Sequence, residues 1–212
     1  MEIQNNIFML DASPQSHVFL IRGSENILID TGFPGAGKKI LSELKSIGAD
    51  PKSIRHILLT HHDIDHIGNV KMLSEITGAQ VWASAEDIPY IVREKTRPGI
   101  KRLIGILMRA GIPEAIHPYA PGQHFADLEV IPAPGHTPGH VIAALNDVIF
   151  AGDLIKIRNG APEPMPRSMN WDNAKARDSI ALLKNREFRW ICPSHGHPVP
   201  ADDAILNFIS SF

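Results

Sequence analysis

Apolar positions along the chain follow two periods. Short apolar runs bounded by turn residues predict strands at Ile3–Leu10, Ser16–Arg22, Asn26–Asp30, Ile54–Thr60 and Gln80–Ala83. Between them the period lengthens. Ala36–Ile47 carries Ile40, Leu41, Leu44 and Ile47 at helical spacing and stops at Gly48, and Asn69–Thr77 stops at Gly78. Residues 84–121 break this rhythm. Ala85–Lys95 reads as helical and Pro98-Gly99 interrupts. Ile100–Ala110 then sets Ile100, Leu103, Ile104, Leu107 and Met108 against Lys101, Arg102 and Arg109, the pattern of an amphipathic helix with a basic face. Beyond it, strands are predicted at Leu128–Pro132, His140–Asn146, Val148–Ala151 and Trp190–Cys192. Helices are predicted at Asp172–Lys184 and Asp202–Ile209. Gly160–Ser168, with Pro162, Pro164 and Pro166, reads as an extended loop. Strands in two groups with interleaved helices imply an α/β protein of stacked sheets covered by helices.

A length of 212 residues suits a single domain over 1–212, with 84–121 as a helical cap insertion. Hydrophobic residues at 43% and charged residues at 21% are ordinary for a globular chain. The net charge of -2 gives no electrostatic case for nucleic acid or an anionic membrane. No apolar run nears the roughly 20 residues of a membrane span, and Met1-Glu2-Ile3-Gln4 has no basic leader pattern. The single cysteine, Cys192, permits no internal disulfide and reads as a core residue on its strand. The expectation is a cytoplasmic protein, monomer or homodimer, acting on a small molecule.

Histidine changes the picture. Several of the eleven cluster with aspartate and glycine in four short segments, each at a predicted strand end. They are Thr60-His61-His62-Asp63-Ile64-Asp65-His66-Ile67-Gly68, Pro134-Gly135-His136-Thr137-Pro138-Gly139-His140, Phe150-Ala151-Gly152-Asp153 and Cys192-Pro193-Ser194-His195-Gly196-His197. Loops held by rigid strands are where sites usually sit. Imidazole and carboxylate together suit divalent transition metals. A catalytic ion takes about three protein ligands, so this many candidates argues for two ions sharing one ligand, about 3.5–4 Å apart.

At these residues the chain resembles the metallo-β-lactamase superfamily, whose pattern is His-x-His-x-Asp-His followed by a distant His, a distant Asp and a final His. Asp30-Thr31-Gly32 also matches a family element. The resemblance spans nearly the whole chain and implies a four-layer αββα sandwich of two mixed β-sheets flanked by helices. Carried over position by position, it implies His61, residue 63 and His136 at one ion, Asp65, His66 and His195 at the other, and Asp153 bridging. Asp30 and His140 would support the ligands through hydrogen bonds. Position 63, usually His in the family, is Asp63 here. Strict spacing makes Asp63 the ligand; a shifted register would use His62 instead; a depleted first site is the third reading. An oxygen ligand there keeps zinc as the first expectation and admits iron or manganese.

The family's chemistry implies a metal-bridging hydroxide that attacks a small ester, thioester or lactone. Asp65 and Asp153 would be the catalytic carboxylates. The nuclease branch is disfavoured by the charge balance, a secreted β-lactamase by the absent leader, and a typical glyoxalase II by the absent C-terminal helical domain. Tyr90, Arg93, Arg97, Leu103, Leu107 and Arg109 are candidate lid residues, with Tyr90, Arg93 and Leu107 the expected substrate contacts. The loop holding Lys156, Arg158 and Arg167 follows Asp153 and is a candidate for binding an anionic substrate group, with Lys156 and Arg158 the expected contacts. Two alternatives stand beside hydrolysis, the first of them motivated by Asp63. One is an iron-dependent oxidoreductase of persulfide-dioxygenase or diiron type, for which the flavodiiron branch, with Glu at this position and a flavin domain not seen here, is the nearest pattern. The other is a non-catalytic metal-binding protein.

Overall fold

The computed structural model describes residues 1–97, 101 and 108–212. They form two compact units, Met1–Tyr119 and Ala120–Phe212.

The first unit is built on a seven-stranded sheet in sequence order: β1 (Glu2–Gln4), β2 (Ile7–Leu10), β3 (Val18–Ile21), β4 (Asn26–Ile29), β5 (Ile54–Leu58), β6 (Gln80–Ala83) and β7 (His117–Pro118). The first four pair antiparallel and the last four parallel, so the sheet is mixed. The predicted strand Ile3–Leu10 is in fact two, β1 and β2, because Asn6 takes a left-handed turn conformation (φ 65°) that folds the chain back on itself. Strands β3 and β4 are buried along nearly their whole length, as their unbroken apolar runs require. Helices α1 (Gly37–Ser46) and α3 (Val70–Thr77) lay Ile40, Leu44, Val70 and Leu73 against Leu20, Leu28 and Ile57 of the sheet. A one-turn helix, α2 (Ile64–Ile67), lies within the histidine cluster. The helix predicted over Ala85–Lys95 is confined to α4 (Ile88–Ile91). It ends where Arg93 enters the left-handed region at φ 65°. Most of the helix predicted at Ile100–Ala110, with Leu103 and Leu107, lies outside the described residues.

The second unit holds a six-stranded mixed sheet. Its strands are β8 (His124–Phe125), β9 (Leu128–Pro132), β10 (Val141–Leu145), β11 (Val148–Gly152), β14 (Trp190–Pro193) and β15 (Val199–Pro200), in the order β15-β14-β11-β10-β9-β8. Only β11 and β14 are parallel. Helices α5 (Asn173–Ala181) and α6 (Asp203–Ser210) pack Ile180, Ile205 and Ile209 against Ile131, Ile142, Ile149 and Ile191. Asp172 and Asp202 cap them, each accepting two backbone N–H bonds of the first turn.

The first half of the proline-rich stretch is not a loop. Ala161–Pro164 forms β13, paired with β12 (Ile155–Arg158) in a separate hairpin. Asn159 and Gly160, both at positive φ, make its two-residue turn. A two-stranded ribbon is all edge, so Pro162 and Pro164 remove no central ladder bond. No helix among the described residues is long and apolar enough to cross a membrane.

Candidate metal centre

In the first unit the site residues follow the ends of β4 and β5. Asp30 closes β4 with φ +62°, a left-handed conformation that aspartate tolerates better than most residues. Its backbone N–H is held by the Leu58 carbonyl at 2.9 Å. Its buried carboxylate accepts three hydrogen bonds. Thr60 N–H donates to Oδ1 at 2.8 Å, Thr60 Oγ1 lies 2.8 Å from Oδ2, and His66 Nδ1 also lies 2.8 Å from Oδ2.

These contacts fix the histidine tautomers. With its own proton committed to Asp30, the Thr60 hydroxyl accepts from His61 Nδ1 at 3.0 Å, and His66 Nδ1–H donates to Asp30. Both rings therefore carry their lone pair on Nε2, the form a metal requires. The rings lie 3.9 Å apart, centroid to centroid. His61 Nε2 is 3.5 Å from Asp63 Oδ2, and His66 Nε2 is 3.8 Å from Asp65 Oδ2. Two bonds from Thr31, one from its N–H and one from its hydroxyl, to the His66 carbonyl at 2.7 Å hold α2 in place.

Asp63 precedes α2 but its side chain does not cap the helix. It pairs instead with Lys101 on Oδ2 and with Arg97 Nη1, 3.5 Å from Oδ1. His62 is taken up elsewhere. Its ring stacks on Tyr90 at 4.4 Å with 10° between planes, and Nδ1 lies 2.9 Å from Asp87, which also accepts the His62 backbone N–H. Arg93 hydrogen-bonds the Ala110 carbonyl. Half-buried Tyr119 donates to the Leu59 and Trp82 carbonyls; enclosure of its hydroxyl, and then the charge of Asp30, push that group well above its usual range, so it stays protonated.

In the second unit Asp153, buried at the end of β11, faces two histidines with separate oxygens. Oδ2 lies 3.3 Å from His136 Nε2 and Oδ1 lies 3.2 Å from His195 Nε2. His140 accepts the Asp153 backbone N–H on Nε2 at 3.0 Å and donates Nδ1–H to Ala133 at 3.1 Å. Both its nitrogens are committed to orienting the loop. Asn170 Oδ1 lies 3.2 Å from His136 Nδ1, which sets that ring's tautomer in the same sense as His61 and His66. Lys156 and Arg158 both pair with Glu163 across the β12–β13 hairpin, and those cations hold its carboxyl below the usual range. Burial pushes the Cys192 thiol far up, so it stays protonated and inert. Thr60, Asp87, Lys101 and Asn170 are contacts that sequence reasoning missed as functional. For Thr60, its place directly before the histidine run was the available signal.

The sequence profile described as the metallo-beta-lactamase superfamily matches residues 13–195, through all four histidine- and aspartate-bearing segments. The chain belongs to the metallo-β-lactamase superfamily. It is 28% identical over 206 residues to metallo-beta-lactamase domain-containing protein 1 of Xenopus laevis, covering 93% of this chain and 76% of that one. It is 30% identical over 146 residues to a hydroxyacylglutathione hydrolase of Ectopseudomonas mendocina, covering 65% of this chain but 48% of that enzyme. A metallo-beta-lactamase family protein from Thermus thermophilus shares the fold with a TM-score of 0.76 at 21% identity, over 99% of this chain and 79% of its own. The two mixed sheets with their helices are thus the α/β fold of this superfamily, whose members are mostly metal-dependent hydrolases. Candidate ligand residues for divalent metal are present in both units.

Proposed function

We propose that the protein is a metal-dependent hydrolase of a small ester, thioester or lactone. In this reading Asp65, His66 and His195 form one donor set, His61, Asp63 and His136 another, and Asp153 serves both. The observation that carries it is the divided carboxylate of Asp153, one oxygen beside His136 and the other beside His195. The donor chemistry fits a divalent ion. His61 and His66 present Nε2 lone pairs fixed from behind by Thr60 and Asp30, and carboxylate oxygens stand next to each. Zinc suits this mixture first, with iron or manganese as competitors because of the oxygen ligands.

A divalent ion there supplies Lewis acidity toward a carbonyl and lowers the pKa of water. The chain's own residues do the rest. Asp153 stands between His136 and His195, His140 holds the Asp153 backbone, and Asn170 orients the His136 ring. In this reading Asp65, beside His66, takes the proton of an attacking water. No serine or cysteine nucleophile is required, in keeping with a protonated, buried Cys192. The thioester option draws support from the likeness to hydroxyacylglutathione hydrolases.

The test is metal analysis of protein purified without added metal, together with a panel of esters, thioesters and lactones. Bound metal and turnover should both be lost in Asp153→Ala. Retention of both in that variant refutes the reading.

A further inference from the structure

Asp63 is where this chain departs from the family's histidine, and its carboxylate is already engaged. Its side chain is 12% exposed; those of Lys101 and Arg97, which reach it, are 9% and 8% exposed. Lys101 holds Oδ2, the same oxygen that lies 3.5 Å from His61 Nε2. A cation shared between His61 and Asp63 would sit against that oxygen, where the ammonium already is. Arg97 occupies the other oxygen, Oδ1, at 3.5 Å, with His62 Nε2 3.9 Å away on the same side. One carboxylate thus faces two nearly buried side-chain cations.

The charges make the substitution and the cation pair one chemical unit. A neutral histidine at position 63 would have no use for an ammonium, and Lys101 without Asp63 would be a poorly solvated charge. A dication entering beside Asp63 has to displace Lys101 from Oδ2. It then faces two positive side chains in surroundings that screen poorly.

We propose that the ammonium of Lys101, backed by Arg97, stands in for one of the two metal ions. Asp63 is its salt-bridge partner, and the protein holds one divalent ion tightly, at Asp65 and His66, and a second only weakly. This keeps the proposed function's first donor set and revises its second. A fixed ammonium stabilises developing negative charge but is no Lewis acid, so activation of water falls to the one retained ion.

The test is zinc titration of metal-stripped full-length protein, read by calorimetry and by metal analysis after dialysis. The wild type should bind one equivalent at least 100-fold more tightly than a second. Lys101→Met, and the double variant Arg97→Met/Lys101→Met, should tighten the second equivalent at least tenfold, while Lys101→Arg should behave as wild type. Asp63→His/Lys101→Met, which restores the family's ligand and removes the ammonium together with its partner, should also bind two equivalents, and it keeps the test open if Lys101→Met alone fails to fold. Two equivalents of similar affinity in the wild type overturn this proposal and leave the metal-dependent reading standing. A single equivalent in the folded Arg97→Met/Lys101→Met and Asp63→His/Lys101→Met variants overturns it likewise. No bound metal in any form overturns both.

Discussion

Asp30 Oδ2 lies 2.8 Å from His66 Nδ1, and the same oxygen takes the Thr60 hydroxyl that in turn fixes His61. One carboxylate at the end of β4 thereby sets the tautomer of two candidate ligands at the end of β5. The parallel pairing of β4 with β5 brings Ile29 beside Leu58, so the residues that follow each strand emerge together. Open α/β sheets place their sites beyond the carboxyl ends of parallel strands for this reason.

Substituting Asp30 separates its charge from its backbone role. Asparagine tolerates the left-handed φ of +62° and keeps the volume. It offers one acceptor oxygen to three donors, and its amide group would oppose one of them. Asp30→Asn should weaken metal binding by roughly 10–100-fold and lower stability by about 1–3 kcal/mol. Asp30→Ala should lower stability further, because it adds the cost of a left-handed alanine. Chelator competition and urea denaturation measure the two effects. Unchanged metal affinity in folded Asp30→Asn would show that His61 and His66 do not need Asp30.

The site residues were legible because they cluster. His61, Asp63, Asp65 and His66 lie within six positions of one another, and His136, Asp153 and His195 each follow an apolar run that pattern alone marks as a strand. The contacts that tune the site were not legible. Lys101 and Asp63 are separated by 38 positions, and a basic residue on an amphipathic helix pattern gives no sign of its partner. Asp87 lies in a turn after β6, and only the folded chain brings it to His62. The β12–β13 hairpin was hidden differently. Three prolines signalled a loop, while Asn159-Gly160, a strong two-residue hairpin turn, was the better guide.

Gly68 ends α2 with an ordinary φ of -54°, so its need for glycine is purely steric. A Cβ there would stand 2.5 Å from both the Gly32 carbonyl oxygen and the Pro34 nitrogen. Backbone cannot step aside as a side-chain tip can. Gly68→Ala should therefore cost about 2–3 kcal/mol or more. It should also loosen the loop from Thr31 to Gly37 that Asn69 ties down through the carbonyls of Thr31 and Phe33 and the N–H groups of Gly35 and Gly37. Gly35 is the contrasting case. Its φ is +89°, but a Cβ there would meet nothing within 4 Å, so Gly35→Ala should cost only about 1–2 kcal/mol. Urea midpoints of the two variants decide it. An equal loss in both would mean that packing against Gly32 and Pro34 is softer than the geometry indicates.

Arg186 grips Glu129 of β9 with two hydrogen bonds, Nη1 to Oε2 at 2.8 Å and Nη2 to Oε1 at 3.1 Å. Those hydrogen bonds, and then the guanidinium charge, hold the Glu129 carboxyl below its usual range. A carboxyl whose folded pKa lies below its unfolded value stabilises the fold above the unfolded pKa, about 4.3. That contribution is lost as the pH falls through the folded value. Both side chains are about a third exposed, so solvent screening limits the pair to about 0.5–1 kcal/mol at neutral pH. Glu129→Gln should be less stable than the wild type by that amount at pH 7 and low salt. The gap should narrow below about pH 4 and should shrink at 1 M salt, where the screening length is about 3 Å. Paired denaturation curves at pH 7 and pH 3, with and without salt, give the answer. A gap that stayed constant across that range would assign the loss to the amide NH2 facing the Arg186 donors and leave no role for the charge on Glu129.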